Sequence, residues 1–223
     1  NIDNDVHEIA GLCFDKGYSV GKFNTVFHDP ILEQSMPQHI VEEGKESDKY
    51  KDWKSAKRKA HEDLHEAKQK SVSSRRALVH AGEYKKEARF FMSWYCDYRG
   101  RMYSLQSFFD QQKSDFERSL VTLADGCRLN KSGEVWASRA LAAAYKGSKW
   151  TYDEREAWTR NNTPLIQRIA ESPEDNVSEW ESADDPWQFL QLCLEWNRVV
   201  ITKEKKLWDV PIGVDSTSSG LQL

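Results

Sequence analysis

The stretch DDPWQFLQLCLEWNRVVI, residues 184–201, constrains the fold more than any other part of the chain. An aspartate cap followed by a proline in the first turn predicts where a helix begins. Apolar residues wrap most of the helix circumference; among them are Trp187, Phe189, Leu190, Cys193, Leu194 and Trp196. A helix that is apolar on nearly every side has to be buried. We therefore expect the 223 residues, which suffice for a sizeable core, to pack around it.

Apolar spacing and capping residues predict several further helices. They cover residues 6–14, about 50–70, about 71–84, 132–147 and 151–172. Ser71 or Ser73 is the predicted N-cap of the third of these helices, and Ser132 of the fourth. The last helix is expected to break before Pro164, because proline removes a hydrogen-bond donor from the helix backbone.

Two segments predict β-structure instead. Residues 88–106 combine aromatic residues with one glycine, which indicates two short strands joined through Asp97–Gly100. The apolar run LWDVPIGVD, residues 207–215, predicts a further strand. The expected fold class is therefore α+β and predominantly helical, with a few short β-strands.

The charge is unevenly distributed. The whole chain carries a net charge of −4, which disfavours a protein that coats nucleic acid with its entire surface. Residues 51–89, however, contain 12 basic and 6 acidic side chains. This segment is either a local track for a phosphate backbone or a solvated helix face with ion pairs between successive turns.

Metal and membrane motifs are weak. The four cysteines lie far apart without a CxxC pair, and the letters of HEDLH, residues 61–65, fit the zinc-protease pattern on a helix that lacks an apolar face. No stretch approaches the roughly 20 apolar residues that span a membrane. We therefore expect neither a zinc site nor a membrane partner, and a reducing compartment is the simplest location.

The chain's last segment, VPIGVDSTSSGLQL, places a single carboxylate where an apolar run gives way to small residues. Asp215 in that setting is suited to hold a hard cation such as Mg²⁺, which prefers carboxylates, waters and substrate phosphates. Small residues such as Ser219 and Gly220 let a phosphate or a second backbone approach closely. The alternative is that Asp215 caps a helix beginning at Thr217 or Ser218.

The stretch DYRGRMY, residues 97–103, places two arginines on either side of a glycine. Guanidinium groups match phosphate geometry, and Tyr103 could stack on a sugar or a base. The equally weighted alternative is an Asp–Arg pair that stabilises a tight hairpin. Both interpretations remain open from composition alone.

The order of five blocks resembles the single-subunit DNA-dependent RNA polymerases, which include phage and mitochondrial enzymes. The blocks are WKSAKRKAHEDLHEAKQKSVSSRR, FFMSWYCDYRGRMYSL, SLVTLADGCRLNKSGEVWASRALAAAYKG, DDPWQFLQLCLEWNRV and VPIGVDSTSSGLQL. The likeness runs from about Trp53 to the end, and the first fifty residues match more weakly. It divides the chain into a helical or extended segment (1–50), basic helices at the thumb–palm junction (51–89) and the first part of the palm (90–223).

The resemblance implies DNA-templated RNA synthesis from NTPs with two Mg²⁺ ions. It makes Asp215 the first metal-binding aspartate and places the Ser216 backbone carbonyl beside the same ion. The family's nucleic-acid contacts fall on residues of the two arginine motifs and the final turn; these are Arg75, Arg76, Arg99, Arg101, Tyr103, Ser219 and Gly220. The implied partners are a DNA template, nascent RNA and NTPs.

Two residues depart from the family pattern: Ser216 replaces a glycine, and Leu223 replaces a histidine. The resemblance also implies that the fingers helix and the second catalytic aspartate follow Leu223, so that the palm is incomplete and this polypeptide alone does not polymerise RNA. The likeness leans toward the phage branch, which predicts the cytoplasm of an infected bacterium, with an organelle as the other location. A nucleic-acid-binding helical module without catalysis and a purely structural helical domain are the competing hypotheses.

Overall fold

The computed structural model describes residues 1–21, 23, 34–108 and 110–213. Within these ranges the chain is predominantly helical with one two-stranded antiparallel sheet, which confirms the predicted α+β class. The helices are α1 (Asn4–Asp15), α2 (Gln38–Glu43), α3 (Asp48–Tyr84), α4 (Asp115–Ser119), α5 (Lys131–Ala142), α6 (Tyr152–Asn161), α7 (Thr163–Glu171), α8 (Val177–Trp180) and α9 (Pro186–Trp196). The strands are β1 (Trp94–Cys96) and β2 (Met102–Ser104), and single π-helical segments, Ala143–Gly147 and Asn197–Ile201, extend α5 and α9.

Helix α9 lies at the centre of the core, as its sequence predicts. It packs against α1, α4, α5 and α7, and ten of its eleven residues are buried. The rings of Phe23, Phe116 and Trp180 surround Trp187, with centroids 5.5, 5.0 and 5.2 Å from its own. The Trp187 indole N–H donates to the Val20 carbonyl at 3.2 Å, so the polar atom of this buried ring is also satisfied.

The N-terminus of α9 is capped by a residue from another helix. Asp185 occupies the N-cap position, as predicted, but its side chain makes no capping hydrogen bond. Instead the carboxylate of Asp115 accepts the backbone N–H groups of Trp187 and Gln188 at 2.8 and 3.1 Å. The Gln188 side chain adds a third hydrogen bond to the same carboxylate at 2.9 Å. This arrangement ties α4 to the start of α9, and burial raises the pKa of Asp115.

The basic segment forms one helix, α3, so the predicted pair of helices is wrong. No glycine or proline occurs between Asp48 and Ala81 to interrupt the helix. Ser74, Ala77 and Ala81 are buried, and this half of α3 packs against α1. The capping serine is Ser47, whose Oγ accepts the Tyr50 N–H at 3.2 Å. Serines inside the helix need no cap role, because the chain does not turn there.

Other predicted boundaries differ in detail. Asn130, rather than Ser132, caps α5, since its side chain accepts the Gly133 N–H at 2.8 Å. The break before Pro164 is confirmed, because α6 ends at Asn161 and α7 begins at Thr163. The helices predicted over residues 6–14 and in the buried stretch of α9 are also confirmed.

The strand predicted over residues 207–215 is not formed in its described part, up to residue 213. This segment pairs with the rest of the fold through an isolated antiparallel bridge between Cys127 and Trp208 and a backbone hydrogen bond from Leu123 to Asp209, without a continuous ladder. The Trp208 indole N–H donates to the Val210 carbonyl at 2.7 Å, and Pro211 has no N–H to donate. A longer ladder therefore lacks the backbone groups that it needs.

Replacing Asp115 by Ala is expected to lower the free energy of unfolding by about 2 kcal/mol, because two partly buried backbone N–H groups lose their acceptor and a helix loses its cap. Urea denaturation followed by circular dichroism measures the change. Asp185→Ala is the matched control: it removes the residue at the N-cap position, whose side chain makes only a 3.6 Å ion pair with Arg118. Equal destabilisation by both variants would contradict capping by Asp115.

Candidate functional site

The turn of the β1–β2 hairpin is closed by one carboxylate. Oδ1 of Asp97 accepts the backbone N–H groups of Arg99 and Arg101, both at 2.9 Å. The backbone N–H of Asp97 donates to the Arg101 carbonyl at 2.9 Å, and that of Gly100 donates to the Asp97 carbonyl at 3.0 Å. Gly100 has φ of 76°, a left-handed conformation that favours glycine. The order Asp–x–Arg–Gly–Arg therefore builds this turn from its own residues.

The predicted Asp–Arg pair of this motif is present. Nε of Arg99 lies 3.3 Å from the Asp97 carboxylate, while the guanidinium also lies 5.4 Å from the Tyr98 ring centroid. Hydrogen bonds from the backbone of Arg101 and Arg99 hold the pKa of Asp97 below its ordinary value. The pair is compatible with a phosphate contact, because the Arg99 side chain remains 43% exposed.

The two strands place Tyr103 on one face of the hairpin. Tyr95 and Tyr103 are directly paired across the strands, and their rings stack with centroids 5.6 Å apart. On the other face the Cys96 and Met102 sulfurs lie 2.9 Å apart. The hairpin thus presents a tyrosine pair next to the arginines of the turn. The sequence analysis singles out the two arginines and Tyr103, but not Tyr95.

The predicted basic-helix arginines lie on different faces of α3. The Arg75 guanidinium lies 5.1 Å from the ring centroid of Phe14 in α1. Arg76 lies about 100° further around the helix and lines a groove together with Ser107 and Phe108. The structure therefore brings Arg76, but not Arg75, next to the segment that follows the hairpin.

The segment after β2 is held by a glutamine side chain. Gln112 donates from its amide nitrogen to the Met102 carbonyl at 2.8 Å, and its oxygen accepts the Ser104 N–H at 3.1 Å. Phe108 packs on the His80 ring of α3, with centroids 3.8 Å apart. These contacts join the hairpin and the basic helix into one surface.

Asp215, Ser216, Ser219 and Gly220 lie outside the described residues, as does Leu223. The approach to them is described up to Gly213. Leu123 donates its N–H to the Asp209 carbonyl at 2.7 Å, and Trp208 and Val210 are buried. The path that leads toward Asp215 is therefore fixed by the core as far as these residues.

A salt-bridge cluster holds the same approach against α9. Lys205 Nζ lies 2.8 Å from the Glu195 carboxylate and 2.7 Å from that of Asp209. The Glu195 side chain is only 4% exposed, and burial raises its pKa despite the hydrogen bonds from Lys205. For Lys205, burial alone would lower the pKa, but hydrogen bonds to Asp209 and Glu195 outweigh it and raise the pKa. Sequence inspection missed this cluster, because only the (i, i+4) spacing of Lys205 and Asp209 signals any part of it.

A second feature that sequence inspection missed is an arginine between two rings beside Gly213. The Arg139 guanidinium lies 4.8 Å from the Trp136 ring centroid and 4.4 Å from that of Tyr152. It also pairs with Glu156 at 2.6 Å. Together with Ile212 and Gly213, these rings line a cavity of about 230 Å³. The only signal in the sequence is the (i, i+3) spacing of Trp136 and Arg139, which places both on one helix face.

Residues 1–21, 23, 34–108 and 110–213 contain no cluster of three or more His, Cys, Asp or Glu side chains arranged to hold an ion. Their four cysteines are free thiols, and burial raises the pKa of Cys13 to about 11. The predicted Mg²⁺ site depends on Asp215 and thus lies beyond the described part of the chain. In that part, no helix has both the length and the apolar character required to cross a bilayer.

Comparison with known proteins finds similarity to DNA-dependent RNA polymerases. The family model for DNA-dependent RNA polymerase matches residues 127–223. The chain is 27% identical over 196 residues to DNA-directed RNA polymerase 1, mitochondrial, of Arabidopsis thaliana, which covers 86% of this chain and 20% of that protein. It is 29% identical over 197 residues to DNA-directed RNA polymerase 3B, chloroplastic, of Nicotiana tabacum, covering 86% of this chain and 19% of the relative.

A fungal relative is also similar. The mitochondrial DNA-directed RNA polymerase of Schizosaccharomyces pombe is 32% identical over 136 residues, covering 60% of this chain and 12% of that protein. The chain thus spans about a fifth or less of the length of these curated relatives.

Asp97→Ala is expected to speed amide hydrogen exchange at Arg99 and Arg101 by roughly fivefold to tenfold, because each N–H loses its acceptor. Asp97→Asn is the control, since its Oδ1 can still accept both bonds. The pKa of Asp97 is lowered, so protection in the unmodified chain should persist above the ordinary aspartate range and be lost as the pH falls through the lowered pKa. If the amides of Arg99 and Arg101 exchange as slowly in the alanine variant as in the unmodified chain, the turn does not need the carboxylate.

Lys205→Met is expected to destabilise the chain by about 2–3 kcal/mol at pH 7, because it leaves Glu195 charged and buried; Lys205 is itself partly exposed, so the loss is below that of a fully buried pair. The Glu195→Gln/Lys205→Met double variant should recover most of this loss. Because the pKa of Glu195 is raised, the carboxyl is protonated earlier as the pH falls, and the penalty of the single variant should shrink on acidification. Urea denaturation between pH 7 and pH 4 tests both statements, and a pH-independent penalty would contradict them.

Proposed function

The chain belongs to the DNA-dependent RNA polymerase family, and we propose that it supplies the thumb–palm junction and the first part of the palm to an enzyme that synthesises RNA on a DNA template. The observation that carries this proposal is the match of the family model, which extends through the last residue and so includes the Asp215 motif. Similarity to the Arabidopsis relative over 86% of the chain supports the same assignment for the basic helix and the hairpin.

Asp215 is the proposed catalytic residue and, with the Ser216 backbone carbonyl, the proposed ligand of Mg²⁺. Bound magnesium ions would supply charge neutralisation for transfer of a nucleotidyl group from an NTP to the RNA 3′ hydroxyl. In the described part of the chain, the Lys205 cluster holds the backbone that leads to this residue, and Ile212 and Gly213 line one cavity with the ring-enclosed Arg139. These residues position the chain and are not proposed to touch the substrate.

Nucleic-acid contacts are proposed for the hairpin turn and for the final turn. Arg99, Arg101 and Tyr103 would face the RNA–template hybrid, and Ser219 and Gly220 would let it pass close to the backbone. The exposed Arg99 guanidinium next to a tyrosine pair supports this assignment, because guanidinium groups bind phosphate and aromatic rings stack on sugars or bases. Of the two α3 arginines that the resemblance assigns to nucleic acid, Arg76 would contact the strand, whereas Arg75 would hold α3 against Phe14 of α1 without touching it.

The proposed division of the chain keeps the limits 1–50, 51–89 and 90–223. The relatives are more than about four times as long as this chain, and the proposal assigns the second catalytic aspartate and the fingers helix to polypeptide that they contain and the 223 residues do not. The relatives are named mitochondrial or chloroplastic, which supports an organellar location. A phage-infected bacterium stays a prediction from the sequence.

In the full-length polymerase that carries this chain, Asp215→Ala is expected to lower RNA synthesis at least about a thousandfold, because charge stabilisation by a bound metal is worth several kcal/mol. Affinity for template DNA should stay within a few-fold, since the proposed role of this carboxylate is to hold the metal and not to contact the phosphate backbone. Run-off transcription and a DNA-binding assay on the same preparations measure the two quantities.

Asp184→Ala is the matched control, because this aspartate is exposed and its hydrogen bond to the Tyr145 carbonyl comes from the backbone N–H. Its transcript yield should equal that of the unmodified enzyme. Undiminished yield from the Asp215 variant would overturn the proposed role and leave a nucleic-acid-binding module without catalysis as the better account of the chain.

A further inference from the structure

One stripe of α3 forms the first wall of an open groove. His65, Gln69, Val72 and Arg76 follow each other at i, i+4, i+7 and i+11, so they lie on one side of the helix. The Gln69 amide nitrogen and His65 Nε2 lie 3.0 Å apart, which orients both side chains along this wall. Lys68 lies beside the stripe and also lines the groove.

The second wall comes from the segment after the hairpin. Ser107 and Phe108 face the helical stripe across a groove of about 560 Å³. The stacking of Phe108 on His80 and the glutamine bonds to β2 hold this wall against α3. A space of this size accommodates a ligand of one or two nucleotides rather than a duplex.

The groove is positively charged. Lys68 and Arg76 lie on its walls, and none of the described residues that line it is acidic. The acidic side chains nearby on α3 have other partners: Glu66 pairs with Lys70, and Glu83 lies 3.0 Å from the His80 ring nitrogen. The uncompensated charge therefore favours an anionic ligand, although the whole chain is acidic.

The groove also exposes apolar surface between its charges. Val72 is 50% exposed, and the partly buried Phe108 ring forms part of the opposite wall. A duplex would offer this surface only its phosphates, because its bases are stacked inside. A single strand offers phosphates and unstacked bases together, and bases gain free energy from contact with a ring or an aliphatic side chain.

We infer that this groove binds a short single-stranded segment of nucleic acid, with Lys68 and Arg76 on its phosphates and Val72 and Phe108 against a base or sugar. The inference rests on the proposed function for the nature of the ligand, and it goes beyond that function by assigning an unpaired strand to a surface separate from the hairpin turn. It also divides the two adjacent arginines: Arg76 contacts the strand, and Arg75, directed at Phe14 of α1, does not.

The test compares neighbouring charge-neutralising variants of the 223-residue chain. Fluorescence anisotropy with a labelled oligothymidylate, recorded at several salt concentrations, measures the affinity and its salt dependence. Arg76→Gln and Lys68→Gln should each weaken binding about fivefold at 0.1 M salt and reduce the salt slope by about 0.7, the value for one phosphate contact in a single strand. Arg75→Gln removes the same charge from the adjacent position and should leave both quantities unchanged.

Val72→Ser tests the apolar contact. This side chain is half exposed, so its replacement should spare the fold, which circular dichroism can verify. It should weaken binding of the oligothymidylate without changing the salt slope, because no ionic contact is lost. An unchanged affinity would overturn the contact with a base or sugar.

Competition distinguishes the strand from other polyanions. Unlabelled oligothymidylate should displace the probe at lower concentration than a DNA duplex, an RNA–DNA hybrid or polyphosphate of the same charge. Preference for duplex, hybrid or polyphosphate would overturn the single-strand assignment, and equal losses in the Arg75 and Arg76 variants would overturn the groove as its location. The binding assay contains neither Mg²⁺ nor NTPs, so a negative binding result says nothing about the role of Asp215. Equally, full transcription by the Asp215 variant would not change the outcome of the binding assay.

Discussion

Burial of one helix on nearly every side organises this chain, because α9 carries polar groups into the core that have to find partners there. Three distant parts of the sequence supply them. Asp115 accepts the N–H groups of the first turn, Asp3 accepts the Gln191 amide at 3.0 Å, and Lys205 neutralises Glu195. Each of these contacts satisfies a group that would be costly if left unpaired. Together they fasten α1, α4 and the chain's last described segment onto a single helix.

This arrangement connects the core to the proposed chemistry. Lys205 contacts both Glu195 in the core and Asp209, which lies six residues before Asp215. The same approach packs Ile212 beside the rings that enclose Arg139. A carboxylate that holds a metal has to be placed accurately by residues that do not themselves touch the ion. The core of this chain provides such support as far as Ile212, so its stability and the proposed activity share the same contacts.

The sequence predicts local structure well where a few neighbouring residues determine it. The DYRGR turn follows from one aspartate and one glycine, and the burial of α9 follows from its apolar circumference. It fails where distant residues decide. No helix begins at Ser71 or Ser73, because α3 continues through them and packs on α1. The cap of α9 is Asp115, from another helix, and not the neighbouring Asp185. The Lys205 cluster could not be predicted for the same reason, since Glu195 lies ten residues before Lys205 in the sequence and is buried in another element.

The candidate interface shows the same division at the level of single residues. Composition treats Arg75 and Arg76 as one basic pair, and the family resemblance assigns both to nucleic acid. An α-helix separates adjacent side chains by about 100°, so two neighbouring arginines cannot face the same ligand equally. Contact with Phe14 directs Arg75 toward α1, whereas Arg76 lies opposite Phe108. Once α3 packs on α1 by its small residues, the face that remains for a ligand is determined, and with it the arginine that can serve it.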